Sequence, residues 1–572
     1  MQPSTDRPSG ATRSRALRRY GPIVAIVVAL ALVVGIVVAT GGDDDEKTAT
    51  KDKKAVAKIG DYPDGAIPFE QAEAENLDVT FPDTCDKKTG RVAIPFFFAP
   101  SCFADVKGDN GGATAQGVTG DSVKVVVYLP IDNDPILEIF TGAVGVEDTR
   151  AQVRATYEGY TALFQRYYQT YGRKVQLEFL EATGNALDEV AARADAVRAA
   201  EMKPFAVWGS PVLTTAFTDE IAARKIICLG CTGGGLAEWY EERAPYVYPI
   251  TRTADQSQQH LVEYIDKKVA GRPAEHAGDP AFRDKERVLG AVNLELNEES
   301  VQLAERFEKR LDDAGIDLAL RIPYAFDPGR LQEQADSIIA RMKEAGVTTV
   351  VLFGGDPVTP ANLTQAATSQ DYFPEWVATG TLVDTTVFAR TYDQEQWSHA
   401  FGPSGLFARI EPTKAFFWSL YTWFRGEGPP AKDTNALLFP QPSLFFSALG
   451  AAGPNLSPET FRDGLFAGEP TPNVITNPSI SFGDKGLWPY TDYAGIDDAT
   501  EIWWDPEATG PDEIRRVAKG MYQYVDGGRR YLPGKWTTEE SKVFDPEGAV
   551  SFYPEPPARE RPPDYPSPAG GN

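Results

Sequence analysis

Val123–Leu129 reads VKVVVYL, and Thr348–Phe353 reads TTVVLF. Neither run alternates cleanly between apolar and polar side chains, so neither suits a sheet with one wet face. Strands this apolar are buried on both faces, as in parallel sheets covered by helices. Outward from the first run, Ala151–Tyr171 predicts a helix with Val153, Tyr157, Phe164 and Tyr168 on one face. Val175–Leu180 predicts a strand, Asp188–Ala200 a helix, Phe205–Trp208 a short buried strand, Thr218–Arg224 a helix end and Ile226–Leu229 another strand. The rhythm repeats from Val288–Leu294, with a helix whose Val301, Ala304, Phe307, Leu311 and Ala314 recur at spacing three or four before Gly315. Leu318–Ile322 predicts a strand. The helix after it takes Asp327 as N-cap, Pro328 at its first position, Leu331, Ala335, Ile338 and Met342 inside, and Gly346 at its end. Two such series predict an α/β protein of two lobes.

Before these lobes, Gly21–Thr40 (GPIVAIVVALALVVGIVVAT) carries no charge. About twenty such residues in a helix cross a hydrocarbon core of roughly 30 Å. Arg7, Arg13, Arg15, Arg18 and Arg19 precede the run, and Asp43, Asp44, Asp45 and Glu46 follow it. Basic residues stay cytoplasmic, so the bulk of the chain is expected outside the membrane. A cleaved secretory signal is the competing reading. The run exceeds the usual ~7–15 apolar residues, and Val38-Ala39-Thr40 makes a poor cleavage site. The expected order is a basic cytoplasmic segment at 1–20, an anchor or signal at 21–40, and a stalk with a cysteine-containing arm at 41–119. The Pro-, Glu- and Arg-rich end, 546–572, is expected to be disordered.

The 572 residues carry a net charge of −26, with 82 acidic against 56 basic side chains. Such a surface repels nucleic acid and anionic lipid, which excludes polyanion binding from the expectations. The three histidines, His260, His276 and His399, lie too far apart for a spaced zinc site, so neither metal nor cofactor is expected. No G-x-S-x-G elbow and no G-x-x-x-x-G-K-[ST] loop occurs, so hydrolase and ATPase readings lack their parts. The aromatic cluster Phe416-Phe417-Trp418, Tyr421, Trp423-Phe424 reads as core packing on a helix. Cys85, Cys102, Cys228 and Cys231 form an even set in an oxidising compartment, which points to disulfides. A Cys85–Cys102 bridge would close a loop of about 18 residues and stabilise by roughly 3 kcal/mol in the chain-entropy model. Cys228-Leu-Gly-Cys231 reads as a local structural disulfide shaping the Thr232 turn; a thiol–disulfide exchange site is the other reading, but the pair lies at a strand end without thioredoxin-like surroundings. Four cysteines allow three pairings, and spacing does not choose among them.

Several segments, in order, resemble the type I periplasmic binding proteins, in the branch that serves branched-chain amino-acid ABC transporters. They are Gly117 to Pro130 (GVTGDSVKVVVYLP), Phe205 to Pro211 (FAVWGSP), Ile227 to Gly235 (ICLGCTGGG), Pro249 to Gln258 (PITRTADQSQ), Phe326 to Arg330 (FDPGR) and Val350 to Asp356 (VVLFGGD). The arm, with Thr84 to Arg91 (TCDKKTGR) and Pro100 to Phe103 (PSCF), resembles one of actinobacterial members. The resemblance covers roughly residues 80 to 535 and implies a Venus-flytrap fold with three crossovers. Lobe one would be 120–250 plus 410–482, and lobe two 251–408 plus 483–535. A small solute would bind between them, and a permease would recognise closure.

The resemblance also assigns candidate residues. Ser210 and Thr232 follow the third and fourth strands, where the family binds a carboxylate through hydroxyls and backbone N–H groups. Gly233 to Gly235 permit close backbone approach. Asp356 falls where the family places a second-lobe contact; capping the helix that starts near Pro357 is the other reading. Where amino-acid receptors hold an acidic partner for the ligand ammonium, Val377 to Thr381 (VATGT) places Gly380, and neither Asp356 nor Asp384 fills that slot. The first-strand turn, Asp132-Asn133-Asp134, is acidic rather than Gly-rich. The expected function is capture of an amino acid, amide or carboxylate for an ABC importer, without enzymatic activity. A membrane-anchored sensor signalling to a partner protein is the alternative.

Overall fold

The computed structural model describes residues 60–570 apart from Lys107, Leu296 and Thr381. The predicted cytoplasmic segment, the 21–40 span and the stalk up to residue 59 lie outside the described residues. Among those described, no helix is long and apolar enough to cross a membrane.

Two sheets organise the molecule. The first contains β1 (Ser122–Leu129), β2 (Lys174–Glu181), β3 (Ala206–Trp208), β4 (Ile227–Leu229) and β5 (Val247–Tyr248), all parallel in the order β2-β1-β3-β4-β5. Helices α1 (Leu137–Val144), α2 (Arg150–Tyr167), α3 (Glu189–Glu201) and α4 (Ala216–Ala223) punctuate it. Val125 and Val127 face a cluster with Leu163 and Phe164, while Val126 and Tyr128 face Ala192, Ala196, Phe217 and Ile221 on the opposite side. Helices on both faces are why Val125–Leu129 of this strand run apolar without alternation. Each Val removed from water there contributes about 1.5–3 kcal/mol.

The chain then leaves the first sheet through α5 (Ala254–Tyr264), which Thr253 caps reciprocally with Gln256. The second sheet holds parallel β6 (Leu289–Leu294), β7 (Leu318–Tyr324), β8 (Thr349–Phe353), β9 (Glu375–Ala378) and β10 (Ala400–Ser404), in the order β10-β9-β8-β6-β7. Helices α6 (Glu298–Asp313), α7 (Leu331–Glu344) and α8 (Thr359–Ser369) alternate with these strands. After β10 the chain returns to the first cluster with α9 (Phe416–Arg425), α10 (Pro440–Ala451) and α11 (Pro458–Ala467). Every residue of α10 is buried, as expected of a helix apolar all round. A last crossing brings β11 (Ala499–Pro511), β12 (Val517–Tyr524) and β13 (Arg530–Tyr531) antiparallel onto the β10 edge. Three passages between the sheets make a two-lobed α/β fold.

Two expectations meet the structure differently, while the disulfide reading holds. Helix α7 begins at Leu331 with Arg330 before it, so Asp327 is not its cap. The Asp327 carboxylate instead accepts the Gly329 N–H at 3.1 Å in a preceding turn. The cysteines pair as Cys85–Cys102 and Cys228–Cys231. The 546–570 stretch, expected to be disordered, is packed. Its prolines leave it only short 3-10 turns, yet Glu560 is buried and accepts the N–H groups of Ile475 and Thr476 at 3.1 and 2.8 Å. Tyr565 donates from its hydroxyl to Asp86 at 2.8 Å and accepts Trp423 Nε1 at 2.9 Å, tying the cysteine arm to α9. In α9, Phe416, Leu420 and Tyr421 are buried, and Phe417, Trp423 and Phe424 pack against the same core.

Candidate functional site

The carboxyl ends of β3 and β4 each run into a turn opened by a left-handed glycine, Gly209 (φ 72°) and Gly230 (φ 65°). Strand ends of this kind are where open α/β sheets present backbone N–H groups to ligands. The two turns are stitched together around Val212. Ser210 Oγ accepts the Val212 N–H at 3.2 Å, and the Thr232 hydroxyl donates to the Val212 carbonyl at 2.5 Å. Thr218 in turn donates to the Thr232 carbonyl at 2.6 Å, and the Cys228–Cys231 bridge closes the β4 turn. Ser210 and Thr232 are therefore brought together, with the Thr232 hydroxyl spent on shaping the turn.

The glycines that follow are required by close approach. A Cβ at Gly233 would lie 2.2 Å from the Tyr240 hydroxyl, and one at Gly234 would lie 2.3 Å from Glu299 Oε1. Glu299 is the residue that sequence reasoning missed. It sits in the first turn of α6, in the second lobe, and its Oε1 accepts the Gly235 N–H at 2.7 Å and the Leu236 N–H at 3.4 Å. Burial pushes its carboxyl above the usual range, and the two N–H groups pull the other way. Arg306, further along α6, holds the same region of lobe one through Glu238 at 3.0 Å. The turn that the resemblance assigns to a ligand anion thus receives an anion from within the chain.

Asp356 lies elsewhere. It follows β8 and is only 2% exposed. Oδ1 accepts the N–H groups of Val358 and Thr359, both at 2.8 Å, while Oδ2 accepts from Thr359 Oγ1 at 2.6 Å and Tyr324 at 2.7 Å. That is the geometry of a carboxylate capping the start of α8, with no lone pair left facing a cleft. Asp384 is likewise buried and accepts from Ser404 Oγ at 2.7 Å.

The acidic turn after β1 also serves structure. Asp132 pairs with Arg150 at 2.5 Å. Asp134 Oδ1 accepts the N–H groups of Ile136 and Leu137 at 2.9 and 3.3 Å, and its Oδ2 accepts that of Ala186 at 2.8 Å. This launches α1 from lobe one into lobe two, where Phe140 stacks on Phe326 with ring centres 5.6 Å apart. Among the described residues no His, Cys, Asp and Glu group is arranged to hold a metal ion. His260 bonds the Asp497 carbonyl at 2.8 Å and Trp536 Nε1 at 3.2 Å, a packing role.

A family model described as periplasmic binding protein matches residues 136–485. The chain belongs to the periplasmic binding protein family. Similar solved structures include the leucine-, isoleucine-, valine-, threonine- and alanine-binding protein of Brucella ovis in its closed conformation. It is 11% identical with a TM-score of 0.50, over 76% of this chain and 100% of that one. Another is the solute-binding protein of an ABC transporter from Rhodopseudomonas palustris HaA2 in complex with p-hydroxybenzoic acid, 11% identical with a TM-score of 0.48, over 72% and 98% of the two chains. A third is the fatty acid ABC transporter substrate-binding protein of Thermomonospora curvata, 14% identical with a TM-score of 0.45, over 70% and 92%. At these identities the likeness is one of fold. No curated protein matches the chain in sequence. As a periplasmic binding protein it binds a solute and is not an enzyme.

Proposed function

We propose that this periplasmic binding protein captures a small polar solute, an amino acid, amide or carboxylate, between its lobes and delivers it to an ABC importer. The observation that carries the reading is the meeting of the β4 turn of lobe one with Glu299 of lobe two, two groups that a solute entering the cleft would have to separate. A solute carboxylate or amide oxygen would take over the Gly235 and Leu236 N–H groups, near Ser210, Thr232 and Gly233. Asp356 is left out of that set, because both its oxygens are engaged in capping. The lobes are taken as 120–250 with 410–482 and 251–408 with 483–535. The 21–40 span is read as the membrane anchor that keeps them extracytoplasmic beside the permease.

The test is a thermal-shift screen of the purified chain against amino acids, amides and carboxylates. A ligand at a hundred times its Kd adds about 2.7 kcal/mol of stability. The expected result is a shift with one class that Thr232→Ala reduces. Uptake of that solute undiminished after deletion of the gene would sink the transport reading.

A further inference from the structure

A cavity of about 90 Å³ lies where the crossover after β10 passes between the lobes. Its walls come from five separate stretches: Val146 beyond α1, Phe407 and Arg409 in the crossover, Ala436 from lobe one, Phe388 from lobe two, and Ile514 before β12. None of Ser210, Thr232, Gly233 or Glu299 lines it. The lining is mostly apolar, and its charges are paired, with one N–H left without an acceptor. Glu513 accepts the N–H groups of Thr386 and Val387, both at 2.9 Å, and pairs closely with Arg409 Nη2. Asp433 pairs with Arg515 at 2.6 Å and accepts the Glu147 N–H at 3.0 Å. Arg409 is only 9% exposed; Nη2 also donates to Thr386 Oγ1 at 3.0 Å, while its Nε has no partner.

A buried N–H without an acceptor is costly, and native structures rarely keep one for no reason. We infer that this cavity is a second ligand site, taking a small, neutral, largely apolar molecule whose single carbonyl oxygen accepts the Arg409 Nε–H. The guanidinium charge is already balanced by Glu513. A ligand carboxylate would therefore bring an uncompensated charge into an apolar enclosure, which disfavours it. A short ketone, ester or amide meets the size and the one polar requirement, and such a molecule would touch both lobes.

The probes are 2-pentanone and butyrate, which have the same number of heavy atoms and differ in charge. Saturation-transfer NMR on the full chain is expected to show 2-pentanone bound and butyrate at least tenfold weaker. Arg409→Lys keeps the charge opposite Glu513 but lacks the Nε donor, and is expected to weaken 2-pentanone about tenfold. Ala436→Leu fills the space without touching the ion pair and is expected to abolish binding, with a melting curve showing the variant folded. Thr232→Ala is expected to leave 2-pentanone binding unchanged, which separates this site from the cleft. Equal binding of butyrate, binding that survives Ala436→Leu, binding lost with Thr232→Ala, or no saturation transfer to 2-pentanone would each overturn the inference.

Discussion

The Glu299 carboxylate of lobe two lies 2.7 Å from the Gly235 N–H of lobe one, so the turn that should greet an anionic solute is already occupied. A solute carboxylate must displace this side chain, and its affinity is reduced by the hydrogen bonds that Glu299 gives up. Bonds to a charged partner contribute about 1.5–3 kcal/mol, somewhat less where the carboxylate keeps part of its surface in water, as here. Glu299→Ala is therefore expected to tighten binding of a carboxylate solute by roughly tenfold, read by calorimetry. Weaker binding would instead place Glu299 in direct contact with the solute.

The brace formed by α1 makes a different prediction. Phe140 is buried against Phe326 of lobe two although its helix follows β1, a strand of lobe one. Phe→Ala in a core costs about 3–5 kcal/mol, and here that loss falls on one short helix. Phe140→Ala is expected to raise amide hydrogen exchange across residues 134–146 while the protection of β1 and β6 stays. A uniform loss of protection in both sheets would show that α1 is part of the cooperative core.

The two sheets were legible because Val125–Leu129 in β1 and Val350–Phe353 in β8 are apolar without interruption, a pattern typical of a doubly covered strand. The four residues of β9 and the mixed sequence of β11 carry no such signal, and they find their place by pairing with β8 and β10. Asp327 misleads because Asp-Pro-Gly starts a turn as readily as a helix. Glu299 was invisible for a plainer reason. An acidic residue in the first turn of a helix is what the helix dipole alone favours, so nothing in Glu298-Glu299-Ser300 hints at a partner in the other lobe. The Arg409 cavity is assembled from stretches hundreds of residues apart, and no local pattern announces it.

Buried charge in the second sheet sets a third expectation. Glu375 accepts Arg287 through Nε at 2.7 Å and Nη2 at 2.9 Å, and also accepts Thr349 Oγ1 at 2.7 Å. Both members of the ion pair are almost fully enclosed. Removing one partner leaves the other buried and unpaired, which costs about 3–5 kcal/mol. Glu375→Ala is expected to lower the urea midpoint markedly, and the double variant with Arg287→Met to recover part of it. Additive losses in the double variant would show that the pair is not coupled.

The last crossover carries a pH dependence. Asp492 accepts the Gln256 side chain and the Ala494 N–H through Oδ1, both at 2.8 Å, while Oδ2 is buried with no partner. Burial pushes this carboxyl up to about 6 from an ordinary 3.8, and its charge in turn helps raise the neighbouring Asp497. The folded state therefore holds the proton more tightly than the unfolded chain does. The stabilisation is complete below the unfolded value of 3.8 and is lost as pH rises through about 6. Asn at this position keeps the Oδ1 bonds and carries no charge at any pH, so it mimics the protonated acid. Melting curves of Asp492→Asn and the parent chain are expected to coincide near the ordinary carboxyl value of 3.8 and to separate above about 6, with the variant the more stable. A stability difference that stays constant across that range would mean that Asp492 does not change its protonation on folding.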